Sequence, residues 1–265
     1  LITIAQLEQK ACMIEARACS TRTLRIQTHP GLLGEAKNTA ALASNLIENG
    51  GCCCVILNTV KQAQAVYKEL KHSNDEKLLF HARFTAENRE RIANQVLTKF
   101  GKDTSNRPHK FVLVATQVVE QSLDVDFDHM ISEIAPIDLL LQRSGRLHRH
   151  VRRSHDPILH VLSPKQDGKS EFGASKAIYQ RYPLLRTIEV LRENSEVKLP
   201  DKFRPLIEAV YGDDLPPKAS KDLMEAKQEW DDLQEDLAAQ AGEFLLCEPM
   251  ADEFDPVGAD EVGDD

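Results

Sequence analysis

CCCVILNTVKQAQ, residues 52–64, decides the fold. Cys52 to Leu57 is a continuous apolar run without polar alternation, and Asn58-Thr59 leads straight into Val60 to His72, where apolar residues recur at helical spacing. A strand of that kind is one covered on both faces. The same rhythm extends outward. Upstream, Ala5 to Ser20 reads as helical, Thr23 to Thr28 as a short strand, and Leu33 to Asn49 as a helix ended by Gly50-Gly51. Downstream, Lys77 to His81 is a strand and Ala86 to Phe100 an amphipathic helix closed by Gly101; Lys110 to Ala115 and His129 to Ile134 are further strands. Strands and helices in alternation predict an α/β fold with a parallel sheet and helices on both faces. Ligands of such folds gather where strands end, so the loops after Leu57, His81, Ala115 and Ile134 are where chemistry is expected.

The 265 residues suffice for one domain of roughly 100 to 200 residues and an appendage. Hydrophobic residues make up 42% and charged residues 28%, which excludes a disordered or a membrane class. The longest apolar runs, such as Cys52 to Leu57, fall far short of the roughly 20 residues of a membrane span. Leu1 to Lys10 carries neither an initiator Met nor a signal pattern, and a start within a longer protein is expected. Three of the six cysteines are consecutive, Cys52 to Cys54, a geometry that suits neither disulfides nor zinc. They read as core residues of a reduced, cytoplasmic protein. The net charge of −9 is unevenly spread: 18 Asp and Glu stand against three Lys after Gly212, and 30 basic against 24 acidic residues before it. A mildly basic body with an acidic tail is compatible with a nucleic-acid face.

Four segments carry candidate chemistry. In LLLQRSGRLHRH, residues 139–150, Gln142, Arg146 and Arg149 stand at i, i+4 and i+7 of a helix that Pro136 is placed to start, and so share a face. Two guanidiniums there can grip a phosphate chain and stabilise the charge that develops in phosphoryl transfer. The same residues also read as a solvated basic helix end favoured by the helix dipole. In VLVATQVVEQSLDVDFD, residues 112–128, a buried strand runs into a turn with Thr116, Gln117, Asp124, Asp126 and Asp128. A hydroxyl and an amide at a strand end can donate to phosphates, and a carboxylate beyond them can accept from ribose; an acidic surface loop is the plainer alternative. VILNTVKQAQ, residues 55–64, places Asn58 and Thr59 before a helix N-terminus, which is a phosphate seat or an ordinary cap. FHARFTAENRERI, residues 80–92, puts His81 and Arg83 at a strand end and Arg89 and Arg91 on the helix that follows.

In this order the segments resemble motifs IV, IVa, V and VI of superfamily 2 helicases. The wording NTVKQAQ, FHARFTAENR, VATQVVEQSLDVDFD and APIDLLLQRSGRLHRH is similar to the helicase-nuclease of type I CRISPR systems over about Thr21 to Pro164. The resemblance implies that residues 21–164 are a second RecA-like lobe; periodicity and composition place around it an N-terminal helical segment (1–20), a helical linker and C-terminal portion (165–248) and an acidic tail (249–265) with too little apolar surface to pack, expected to be mobile. It implies an ATP-dependent single-stranded DNA translocase in antiviral interference, hence a helicase with hydrolase activity. Arg146 and Arg149 would then approach the γ-phosphate, Asp124 the nucleotide sugar, and Gln142 would link that site to the moving cleft. Asn58, Thr59 and Thr116 would hold the DNA backbone, with His81, Arg83 and Gln117 beside them. ATP and Mg²⁺ would be bound mainly by a first RecA-like lobe, and nuclease metal ions by an HD domain, neither of which is in this sequence. The chain alone is thus expected not to hydrolyse ATP. Implied partners are single-stranded DNA, those two domains and the RNA-guided CRISPR surveillance complex, with no membrane. Motifs of this lobe touch backbone rather than bases, so a superfamily 2 helicase of DNA repair or of RNA remains open, as does a silent RecA-like nucleic-acid-binding module.

Gly168-Lys169-Ser170 resembles the end of a phosphate-binding loop, but Ser163 stands where its first Gly is required. DVDFDH lacks the Glu of a DExH box. His148, His150, His155 and His160 cluster, yet Arg149, Arg152 and Arg153 would repel a cation and no Cys accompanies them, so no metal is expected.

Overall fold

The computed structural model describes residues 2–4, 12–14, 21–73, 76–120, 123–150, 156–165, 171–212, 214–217 and 219–243. In chain order its elements are β1 (Ile2–Ile4), β2 (Cys12–Ile14), β3 (Arg22–Pro30), α1 (Ala36–Leu46), β4 (Gly51–Ile56), α2 (Val60–Glu69), β5 (Lys77–Phe80) and α3 (Ala86–Phe100). There follow β6 (Lys110–Ala115), β7 (His129–Glu133), α4 (Ile137–Ser144), β8 (Ile158–Ser163), α5 (Arg181–Glu193), β9 (Glu196–Leu199), α6 (Phe203–Tyr211) and α7 (Lys221–Glu243).

Seven strands of the described residues form one sheet in the order β5-β6-β4-β7-β8-β3-β9. All neighbours are parallel except β9, which runs antiparallel to β3 in the register Arg22↔Leu199 to Arg25↔Glu196. The apolar run of β4 is explained by its neighbours on both faces. Cys52, Cys54 and Ile56 join one core cluster with Ile92, Val96 and Phe100 of α3 and Leu140 of α4. Cys53, Val55 and Leu57 join the other, with Ala40, Ala43 and Ile47 from the α1 side and Ala63 and Val66 of α2. Side chains alternate across a strand, so only a strand apolar at every position fills both cores. Strand β6 repeats this, with Phe111 and Leu113 on the first face and Val112 and Val114 on the second.

Three differences from the sequence expectations stand out. Most of the helix expected over Ala5 to Ser20 lies outside the described residues, and where the chain is described Cys12–Ile14 is a strand paired antiparallel with Ile2–Ile4. The sheet does not end near Pro164, because β9 adds an edge strand from beyond it. Its burial alternates, Val197 and Leu199 in and Glu196 and Lys198 out, the pattern of a strand with one covered face. Finally, α5, α6 and α7 are built onto the sheet: Leu184, Leu206 and Leu223 belong to the same core as β4 and α3. Gly168-Lys169-Ser170 and the acidic tail 249–265 lie outside the described residues.

Candidate functional site

Strands β6, β4 and β7 are neighbours, so the residues that follow their carboxyl ends come together. Asn58 follows β4 and is 2% exposed; its Nδ2 donates to the Ile134 carbonyl (2.8 Å) and the Ser175 hydroxyl (2.9 Å), and its backbone N–H to Glu133 Oε2 (2.7 Å). Burial pushes the Glu133 carboxyl above the usual carboxylate range, opposed by the Asn58 N–H and by Arg143. Thr59 caps α2, its hydroxyl accepting from the Gln62 N–H at 3.2 Å. Thr116 after β6 is buried, and Gln117 Nε2 donates to the Asn58 carbonyl at 3.2 Å. His81 after β5 is buried and stacks on Phe84 with ring centroids 4.2 Å apart, while Arg83 is exposed. Burial lowers the His81 pKa. The six residues expected on nucleic acid thus gather at the strand ends, but Asn58, His81 and Thr116 are buried rather than presented. A 490 Å³ cavity, lined by Thr59, Lys61, Gln62, Glu133, Phe172 and Ser175 among others, opens at the N-terminus of α2.

Pro136 starts α4 as expected, but the helix ends at Ser144, and Gln142, Arg146 and Arg149 do not share a helical face. The chain instead tightens into turns, with Arg146 N donating to the Arg143 carbonyl (3.0 Å) and Leu147 N to the Ser144 carbonyl (3.0 Å). Gly145 permits this, since a Cβ there would lie 3.0 Å from the Gln142 carbonyl oxygen. Arg22 of β3 fixes the turn by donating to the carbonyls of Leu147 (2.8 Å) and Ser144 (2.9 Å). The turn is also tied to the acidic run. Arg149 N donates to Asp126 Oδ1 (2.8 Å), Arg149 Nε to Asp124 Oδ1 (2.5 Å), and His150 Nε2 lies 3.1 Å from the same Asp124 oxygen. Arg107 donates to Asp128 Oδ2 at 2.8 Å, so the carboxylates of residues 124–128 serve internal contacts instead of a bare acidic loop.

The electrostatics of this turn favour an anion. Burial and then the nearby Arg149 guanidinium lower the pKa of Arg146, and burial followed by Arg149 does the same to Arg22. Cations that repel one another gain from a shared anion. Arg146 is 9% exposed, donates to the Glu120 and Gln142 carbonyls, and leaves its buried Nε without a hydrogen-bond partner among the described residues. An unsatisfied buried donor costs about 1–3 kcal/mol, which an acceptor arriving at the turn would recover. The Arg149–Asp124 pair has side chains 45% and 55% exposed. Such a pair is worth no more than about 1 kcal/mol, so Arg149 is held to Asp124 only weakly. Gln142 is exposed, and its carbonyl accepts from Arg146 Nη1. The histidines disperse: His148 contacts the Asp128 carbonyl (3.0 Å), His160 pairs with His29 (3.0 Å), and His155 lies outside the described residues.

Sequence reasoning missed Arg143 as a structural centre. Its guanidinium is fully buried and donates to Glu120 Oε1 (2.7 Å), the Ser132 hydroxyl (2.7 Å), the Glu133 carbonyl (3.2 Å) and the Tyr179 hydroxyl (3.3 Å). The signal was present: Arg143 follows Leu140 by three on α4, the core-facing side, and a buried cation requires a buried acid such as Glu120.

The model of the C-terminal region of CRISPR-associated nuclease/helicase Cas3 matches residues 49–152, the stretch from β4 through the arginine turn. The CRISPR-associated nuclease/helicase Cas3 of Streptococcus thermophilus is 35% identical over 215 residues, covering 77% of this chain and 23% of that protein. The crystal structure of T. fusca Cas3-ADP superposes with a TM-score of 0.79 at 32% identity, covering 91% of this chain and 30% of that one. A chain of the pre-nicking CRISPR RNA-guided surveillance complex superposes with a TM-score of 0.72 at 31% identity, covering 90% and 30%. This chain therefore spans about a quarter of the length of these relatives. In sequence and in fold it belongs to the Cas3 family as the C-terminal helicase lobe.

Proposed function

We propose that this chain is the second RecA-like lobe of an ATP-dependent single-stranded DNA translocase that acts in CRISPR interference. The observation that carries the reading is the arginine turn: Arg146 with an unpartnered buried N–H and Arg149 in a weak, exposed pair, both beside Asp124. ATP bound with Mg²⁺ on a first lobe supplies the reaction and the free energy of cleft closure. Arg146 and Arg149 meet the γ-phosphate in the closed state, Asp124 turns to the nucleotide sugar, and Gln142 senses the cleft. Nucleic acid runs over the carboxyl ends of β4, β5 and β6. Thr59, Arg83 and Gln117 lie nearest to the backbone, and Asn58, His81 and Thr116 shape the ground beneath them. Glu120 joins the two regions, since its side chain pairs with Arg143 and its carbonyl accepts from Arg146. The chain alone does not turn over ATP. The RNA-guided surveillance complex is the partner that delivers the DNA, and the setting is the cytoplasm. No helix among the described residues is long and apolar enough to cross a membrane.

The test is ATP hydrolysis by the full-length protein without nucleic acid, with single-stranded DNA and with single-stranded RNA. Stimulation by DNA is expected. Stimulation by RNA alone would assign the lobe to an RNA helicase, and no hydrolysis under any condition would leave a silent binding module.

A further inference from the structure

Residues 171–179 lie beyond the last motif, yet they reach three residues of the motif block. Ser175, 3% exposed in a 3₁₀ turn over Gly173–Ala177, accepts from Asn58 Nδ2 at 2.9 Å. The Tyr179 hydroxyl accepts from Gln117 Nε2 at 3.2 Å and from Arg143 Nη2 at 3.3 Å. Gln117 Nε2 in turn donates to the Asn58 carbonyl, which closes the ring. Phe172, 3% exposed, seats the turn in the core, and the Tyr179 N–H donates to the Ser175 carbonyl, so the two hydroxyls are held in fixed relation.

We propose that residues 173–179 are a latch, in which Ser175 and Tyr179 are positioning residues that hold Asn58, Gln117 and Arg143 in register for coupling nucleic acid to the arginine turn. The functional half of this inference rests on the helicase reading above; the latch itself rests on geometry alone. Arg143 shows why the contact matters. Its Nε and Nη1 have close partners in Glu120, Ser132 and the Glu133 carbonyl, whereas Nη2 has, among the described residues, Asn58 Oδ1 at 3.5 Å and Tyr179 at 3.3 Å. Both lone pairs of the tyrosine oxygen are used, one on each motif residue. Removing the hydroxyl leaves the Arg143 charge paired with Glu120, so the lobe still folds while the register between the ends of β4 and β6 loosens. The latch also walls the cavity at the N-terminus of α2, where Ser175 and Phe172 face Thr59 and Gln62. A shift there reaches Arg146 through Arg143 and Glu120. Physical continuity of this kind is a route for coupling only if perturbing one end moves the other.

Two variants test it, Tyr179→Phe and Ser175→Ala, each of which removes one hydroxyl and keeps the packing. Amide hydrogen exchange of the chain is expected to quicken about tenfold at residues 58–59 and 116–120, the equivalent of about 1.4 kcal/mol, with the amides of α3 unchanged. Unaltered exchange at both stretches in both variants would overturn the latch. In the full-length protein, the DNA concentration for half-maximal stimulation of ATP hydrolysis is expected to rise about fivefold, with kcat at saturating DNA within about twofold of wild type. A purely structural contact would lower the melting temperature and leave that split unmoved, which would overturn the coupling role. If DNA does not stimulate the wild-type protein, the helicase reading fails, and the exchange data still decide the latch.

Discussion

Arg143 is the residue on which the site's architecture turns, although Arg146 and Arg149 carry the proposed chemistry. A guanidinium with no solvent exposure is tolerated only because Glu120, Ser132, the Glu133 carbonyl and Tyr179 surround it. Breaking such a pair from one side leaves the other charge buried, at a cost of about 3–5 kcal/mol. Arg143→Ala is accordingly expected to destabilise the chain by that amount in urea unfolding, and a loss below about 1 kcal/mol would show that the network contributes little. Of these residues, the sequence offered Arg146 and Arg149 as a candidate pair and, through the resemblance, Asp124, but not the residues that support them. Arg146 and Arg149 stand within one short segment, whereas Tyr179 lies 36 positions beyond Arg143 and gains its meaning only when the chain folds back. Asn58 was legible as a strand-end residue but not as a buried one, because burial there depends on Ser175, 117 positions away.

At the level of elements, strands were readable where both faces are covered. β4 and β6 announce themselves by unbroken apolar runs, and α3 begins and ends where its Thr85 cap and Gly101 stop place it. β9 has four residues and a single covered face, a signal too short to separate from a loop. The arginine helix was overextended because a periodicity argument cannot see that Gly145 and the carbonyl contacts of Arg22 wind the chain into a turn. The pairing of β3 with β8 carries its own prediction. His29 and His160 face each other across it at 3.0 Å, and burial, then the neighbouring His29 and His129, push the His160 imidazole down to about 4. Burial lowers His29 as well. The unfolded chain, with an ordinary imidazole near 6.5, thus binds more protons than the folded one between the two values. Stability is full above about pH 6.5 and falls as pH drops through about 4, by on the order of 2–3 kcal/mol. In His160→Phe the loss between pH 7 and pH 4.5 is expected to shrink, and an equal loss in both proteins would contradict the assignment.

The whole molecule is a lobe in which the residues after β4, β5 and β6 gather at the carboxyl ends of those strands, the arginine turn packs on residues 124–128 that lead into β7, and the C-terminal helices are part of the core. That arrangement explains why composition said little: a mildly basic body and an acidic tail describe many proteins, and the lobe's meaning lies in the order of four short segments. On the proposed reading its arginines meet a phosphate chain that a partner lobe holds. The central claim is that Arg149 leaves Asp124 to meet that chain. The most direct measurement is ATP hydrolysis by the full-length protein at saturating single-stranded DNA, wild type against Arg149→Ala. The side chain is 45% exposed, so the variant should fold and melt like wild type. Its turnover should fall by roughly a thousandfold or more, the scale of an arginine finger. Turnover within a few fold of wild type in a normally folded variant would contradict the account.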